Sequence, residues 1–136
     1  MKTMYNHAFS YAIAGIIGGV FFREFTKWNG FTGMTALAKV HGHLFILGML
    51  FFLIVAIICN NTPLQQQKRF HTFLVLYDAG LSLTAVMLVV RGITQVLGLG
   101  IPKGIDAAIS GFAGIGHILL SVGLLTFLDM LRKTPA

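Results

Sequence analysis

Two histidines near the start of a long apolar segment are the residues of this chain best suited to chemistry. His41 and His43 fall within residues 40–58, which contain no Lys, Arg, Asp or Glu. A titratable side chain in such a segment lies in a lipid bilayer or at its edge, where polar groups are costly and usually functional. Because imidazole is the commonest metal ligand and the usual axial ligand of haem, the pair predicts a metal or haem site.

The two histidines do not form a chelate on their own. Two residues turn an α-helix by about 200°, so His41 and His43 face opposite sides. His41 shares its face with Gly48, which leaves room for a bulky ligand, whereas His43 lies closer in depth to a third histidine, His117. The spacing therefore predicts a site built by His117 and one of His41 or His43, and leaves open which of the two it is.

Two arginines are candidate partners of a ligand's acidic groups. Arg23 and Arg91 fall at the same predicted membrane boundary as the histidines, together with Lys39. A haem entering from that side would leave its propionates there, and arginine pairs well with carboxylates. The alternative is that these residues are helix-end cations that extend to the headgroups.

The composition indicates the elements that position these residues. Of 136 residues, 56% are hydrophobic and 10% charged, and the mean hydropathy is +0.82. A soluble domain carries about 25% charged residues. Since a spanning helix needs about 20 apolar residues, we predict an all-α bundle of four transmembrane helices in a single membrane domain, residues 1–136, with spans at about 5–22, 34–59, 70–90 and 105–130.

Local signals refine these boundaries. Asn60 to Pro63 ends the second span, because Asn and Pro disfavour a continuing helix. Residues 94–97 are either an extension of the third span or a partly re-entrant piece. Gly15 and Gly19 form a GxxxG motif, which we expect to pack within the chain rather than between two copies.

The net charge of +6 does not indicate a nucleic-acid partner, because the basic residues are scattered at helix ends, where they meet lipid headgroups. Four spans place both ends of the chain on one side, and five Lys and Arg residues fall on each side. If Arg23, Lys39 and Arg91 serve a ligand, the remaining charges favour cytoplasmic termini in the cell membrane.

A second polar set lies toward the other membrane face. His7 and His71 begin the first and third spans, near the interface. Asp78, about one third of the way into the third span, shares a face with His71 and Ser82. We expect this carboxyl group to carry protons or to hydrogen-bond a histidine or a tyrosine.

Four segments resemble a family of small four-helix bacterial membrane proteins of unknown function, and the resemblance covers nearly the whole chain. It implies the fold but no mechanism. The segments that carry it are residues 23–27 (REFTK), 40–52 (VHGHLFILGMLFF), 91–95 (RGITQ) and 107–117 (AAISGFAGIGH).

One of these segments is also similar to the haem-ligand helix of the catalytic subunit in haem–copper oxidases and nitric oxide reductases. In both, a histidine near the start of a span precedes an apolar run rich in Gly, Met and Phe. The resemblance implies that His41 ligates low-spin haem, with His117 as the opposing ligand. The copper site of those enzymes has no counterpart here, so the resemblance does not imply oxygen reduction.

These observations favour a membrane-embedded haem b protein for electron transfer, redox sensing or gas sensing, which exchanges electrons with quinol or another redox protein. One alternative is a transporter-like homo-oligomer that handles protons or a copper or zinc ion with the same histidines. Another is an accessory subunit without a cofactor. Only the haem protein would have a redox role, and none of the three functions requires that this protein catalyse a reaction.

Overall fold

The computed structural model describes residues 2–134, which form four long helices joined by short connections. Each helix is long and apolar enough to cross a membrane. The predicted all-α, four-helix, multi-pass membrane architecture is therefore confirmed. The helices are α1, Lys2–Trp28; α2, Leu37–Asn61; α3, Phe70–Val96; and α4, Lys103–Lys133.

Three of the helices extend beyond the spans expected from hydropathy. α1, α3 and α4 contain 27, 27 and 31 residues, so each is about 40 Å long or more. That length matches a bilayer with its headgroups, which measures about 40–45 Å. The polar ends are thus helical in the interfacial layers, and residues 94–96 extend α3. Only α2 is shorter than expected, since it begins at Leu37 rather than near Met34.

Glycines in a left-handed conformation end two of the helices. Gly98, with a φ of 61°, follows α3, and Gly30, with a φ of 58°, follows α1. After α3, Leu99 N–H donates to Thr94 O at 3.1 Å and Gly98 N–H donates to Gln95 O at 3.2 Å. This is the Schellman arrangement, which satisfies the last carbonyls of a helix and favours glycine because other residues are strained there.

The helices pack as two close pairs. α1 lies along α2, α3 lies along α4, and the first half of α2 joins the pairs by packing on α3. The GxxxG motif faces α2 within the chain, as expected: a methyl group at Gly15 would lie 2.8 Å from Phe45 Cε1, and one at Gly19 would lie 3.7 Å from His41.

The pair α3–α4 packs backbone against backbone through three glycines. A methyl group at Gly80 would lie 2.8 Å from Leu120 Cα, and one at Gly123 would lie 2.7 Å from Tyr77 N. One at Gly116 would lie 2.7 Å from Thr84 Oγ1. Small residues allow such an approach in a membrane, where packing rather than water exclusion holds helices together. This interface therefore fixes the position of α4 relative to α3.

A π-helical segment interrupts α2 directly after the paired histidines. It covers Leu44–Leu50, and the amide of Phe51 points to the carbonyls of Ile46 and Gly48. The carbonyl of Leu47 accepts instead from the hydroxyl of Tyr77 on α3, at 2.8 Å. Short π segments inside α-helices occur frequently at functional sites. Here the segment ties the middle of α2 to α3 and changes which residues of α2 face α1.

Candidate functional site

His41 lies at the interface of α2 with α1. Its ring stacks with Phe22, with centroids 6.5 Å apart, and meets Phe45 edge to face at 6.4 Å. Its Nδ1 is buried and has no hydrogen-bond partner. The side chain is therefore held among aromatic rings, with an unsatisfied polar atom inside the protein.

His43 lies on the opposite flank of α2, as the helical spacing requires. Its Nδ1 is 2.9 Å from the carbonyl oxygen of Lys39. Because a carbonyl only accepts hydrogen bonds, Nδ1 is the donor in this contact, and Nε2 is the ring nitrogen that the contact leaves free. The ring borders an open groove of about 310 Å³, whose other lining residues are Lys39, Gly42, Ile46 and Leu47.

His117 has the same local arrangement on α4. Its Nδ1 is 2.7 Å from the carbonyl oxygen of Ala113, which again leaves Nε2 as the free ligand atom. A ring N–H held by a backbone carbonyl is the usual support of a metal-ligating histidine, since it fixes the tautomer and the orientation of the ring.

A groove between α3 and α4 adjoins His117. Its volume is about 310 Å³, and His117, Ser110 and Ala113 of α4 line one wall. The other wall comes from α3 and contains Met87 and Arg91, with Thr84 and Leu88 between the helices. His117 is exposed on the side of the molecule, so the groove opens toward lipid or toward a neighbouring molecule.

A face of small residues continues from this groove. Ser110, Gly114 and Ser121 are exposed, and a methyl group at Gly114 would meet no atom within 4 Å. The glycines that pack against α3 are the different pair Gly116 and Gly123. Gly114 is therefore not used for packing against α3, and a flat group can lie along this face beside His117.

The two candidate arginines have different surroundings. Arg91 forms a close ion pair with Asp106 and donates to Ser110 Oγ at 2.7 Å, at the mouth of the His117 groove. Arg23 is 80% exposed and lies 3.8 Å from Glu24, its chain neighbour. The structure thus brings Arg91 to His117 and leaves Arg23 near α1's end, on the side of His41.

His43 and His117 lie at different depths along their helices. Gly92 of α3 packs against Leu37 of α2, and this contact serves as the reference level for depth. His43 follows Leu37 by six residues and therefore lies about 9 Å deeper along α2. Gly116 packs against Thr84 and Gly80, which are eight and twelve residues from Gly92. Eight to twelve residues of α3 span about 12–18 Å, so His117, the neighbour of Gly116, lies about that far below the contact of Gly92 with Leu37. His41 is two residues nearer this level and is turned toward α1, and the groove beside His43 shares no lining residue with the groove beside His117.

Within residues 2–134, no group of three His, Cys, Asp or Glu side chains could hold a metal ion. A bare copper or zinc site normally needs three or four such ligands. A haem needs only one or two from the protein.

A second polar cluster lies between α1 and α3, toward the other membrane face. The hydroxyl of Tyr11 donates a short hydrogen bond to Asp78 Oδ1 and lies 3.3 Å from Ser82 Oγ. His7 Nδ1 lies 3.4 Å from the same Asp78 oxygen, and its ring stacks on Phe52 with centroids 4.8 Å apart. The expectation that Asp78 hydrogen-bonds a histidine or a tyrosine is met by Tyr11.

Sequence reasoning named three members of this cluster but missed Tyr11. His71, which shares a face with Asp78 in the sequence, is exposed in the structure. The overlooked signal was the spacing of His7 and Tyr11, four residues apart and thus on one face of α1.

Comparisons with known proteins give a family but no characterised relative. No curated protein and no solved structure matches the chain at a significant level. A family described as "Protein of unknown function (DUF2871)" matches residues 1–134. The chain therefore belongs to the DUF2871 family, whose function is unknown.

Proposed function

We propose that this protein is a membrane-embedded haem b protein, with His117 as the first axial ligand and His43 as the second. When bound, the haem would supply one-electron redox chemistry, since two histidine ligands leave no position for a gas. The chain supplies ligation, burial and charge.

The observation that carries the proposal is the shared geometry of the two histidines. In each, Nδ1 bonds to the carbonyl four residues earlier, at 2.9 Å for His43 and 2.7 Å for His117. In both rings Nε2 is therefore the nitrogen left free to bind iron, and the Nδ1 contact fixes the orientation of the ring. His41 lacks this support because its Nδ1 is buried and unpaired. The geometry thus favours His43, although the sequence resemblance favours His41.

The surroundings of His117 also fit a haem. The groove of about 310 Å³ is lined mainly by apolar atoms, and the small-residue face of Ser110, Gly114 and Ser121 continues beyond it. Because that face is open, a macrocycle larger than the groove can extend along it. A second copy of the chain in a homo-oligomer would cover the part that one chain leaves exposed.

Arg91 is placed to hold a propionate at the mouth of the groove. Its guanidinium contacts Ser110 and pairs with Asp106. Arginine binds carboxylates in bidentate fashion, and a propionate there would compete with Asp106 for the same donors. Arg23, which is exposed at the end of α1, is a second donor near that membrane boundary.

The rival function, a metal or proton transporter, draws different support. The absence of a three-ligand cluster within residues 2–134 argues against a bare copper or zinc ion in one chain. The network of His7, Tyr11 and Asp78 supports proton handling, but it uses a different set of residues from the histidines of α2 and α4.

The proposed location is the cell membrane, with both termini in the cytoplasm. If Arg91 and Arg23 serve the haem, the basic residues that remain are concentrated at the terminal side, where the positive-inside rule places the cytoplasm. The haem would then lie in the half of the bilayer away from the cytoplasm, and electrons would come from quinol or another redox protein.

A hemin titration tests the assignment of the first ligand. We expect the purified wild-type protein to bind hemin stoichiometrically with a sharp Soret band, and His117→Ala to bind it at least tenfold more weakly, because the groove loses its iron ligand. His71→Ala is the matched control, since His71 is also an exposed histidine of a spanning helix. Equal hemin binding by all three proteins would contradict the proposal.

A further inference from the structure

An apolar groove runs between α1 and α3 across the surface of α2. Its volume is about 610 Å³, and its lining is almost entirely apolar. It extends from Tyr11 to Phe21 along α1, a length of about 15 Å. The residues on the opposite wall include Ala85, Val86 and Val89 of α3. The groove is open to the outside of the molecule, where the lipid lies.

A polar pocket continues this groove at one end. The pocket has a volume of about 390 Å³ and is lined by His7, Ser10, Tyr11, Ala14, Asp78 and Ser82. Tyr11, Ala14 and Ser82 line both spaces. The combined site is therefore amphiphilic, with a long apolar channel that leads to a compact group of hydrogen-bonding side chains.

The polar end is best suited to a ligand that donates hydrogen bonds. Tyr11 and His7 both contact Oδ1 of Asp78, so its second carboxylate oxygen has lone pairs for a further donor. Ser82 and the second ring nitrogen of His7 can complete the contacts to a small ring. A phosphodiester headgroup would instead place acceptor oxygens beside the acceptor oxygens of Asp78, which disfavours a phospholipid in this position.

We propose that this groove binds an isoprenoid quinol, with the hydroquinone ring against Asp78, His7 and Ser82 and the tail along the apolar channel. The hydroxyl groups of the reduced ring donate to Asp78, whereas the carbonyl groups of the oxidised ring only accept hydrogen bonds. The site therefore prefers quinol to quinone. The inference shares the redox character of the proposed function, but quinol binding needs no haem and is measured separately.

The test is anaerobic binding of decylubiquinol to haem-free protein in detergent, by isothermal titration calorimetry. We expect saturable one-to-one binding, at least tenfold tighter than that of the oxidised form. Asp78→Asn should weaken quinol binding about tenfold, because an amide NH2 group, which only donates, replaces one of the two carboxyl oxygens. Asp129→Asn is the matched control, since Asp129 lies on α4 and pairs with Arg69 away from the groove.

A second variant tests the channel without touching the polar cluster. Val86 lines the groove and is 53% exposed, and Val122 is 44% exposed on α4. Val86→Trp should fill the channel and weaken quinol binding at least tenfold, and Val122→Trp should leave it unchanged. The thermal transition of each variant shows whether it is folded.

The proposal would be overturned if the wild-type protein showed no saturable quinol binding, or if folded Val86→Trp bound quinol as well as the wild type. It would also be overturned if dodecyl phosphate displaced quinol as well as unlabelled quinol does, because the groove would then bind lipids in general. Since every titration uses haem-free protein, failure here leaves the hemin result intact. Failure of hemin to bind likewise leaves this result intact.

Discussion

Gly80→Ala is expected to lower the free energy of unfolding by about 2 kcal/mol or more. The added carbon would lie 2.8 Å from Leu120 Cα and 2.9 Å from Gly116 O. Both neighbours are backbone atoms of α4, which cannot rotate away, so the two helices must separate. Overpacking of this kind costs about 1–3 kcal/mol or more, which outweighs the gain of about 1 kcal/mol in helix propensity.

Gly111→Ala provides the matched control on the same helix pair. A methyl group at Gly111 would meet no atom within 4 Å, so only the propensity gain remains and stability should be unchanged or about 1 kcal/mol higher. Unfolding of both variants in mixed micelles with increasing SDS fraction measures the difference. If Gly80→Ala were as stable as wild type, the backbone contact of α3 with α4 would not exist as described.

The second large effect separates the two histidines of α2. We expect His43→Ala to convert the hemin complex from a low-spin to a high-spin spectrum, because one axial nitrogen is lost. Added imidazole should restore the low-spin spectrum. His41→Phe should keep the low-spin spectrum and should be at least as stable as wild type, since it removes a buried Nδ1 that has no partner.

Absorption spectra of the hemin complexes of these two variants decide between the histidines. The opposite result, in which His41→Phe is high-spin and His43→Ala is low-spin, would assign the ligand to His41. It would then require that the interface of α1 with α2 opens around Phe22 and Phe45.

The fold was predictable because its signals are strong and local. Four apolar segments and the break after Asn61 gave the number and order of the helices. The helix ends were harder to predict than the number of helices, because polar residues such as those between Arg23 and Trp28 are also helical. Hydropathy measures only the hydrocarbon core, and the caps at Gly30 and Gly98 depend on backbone conformation.

The site was less predictable than the fold. The sequence showed that His41 and His43 face opposite sides of α2, but not which side meets α1, because that depends on the π segment and on Tyr77. The pairing of Arg91 with Asp106 also requires the relative position of α3 and α4. Tyr11 was not predicted as a member of the polar cluster, because its hydrogen-bond partner, Asp78, lies 67 residues away in the sequence.

The most direct test of the central claim is the absorption spectrum of the wild-type protein purified from haem-replete membranes, before and after reduction with dithionite. A b-type haem held by His117 and His43 predicts coloured protein, one iron per chain, and a Soret band that shifts to longer wavelength on reduction. Colourless protein that also fails to take up hemin would contradict the account.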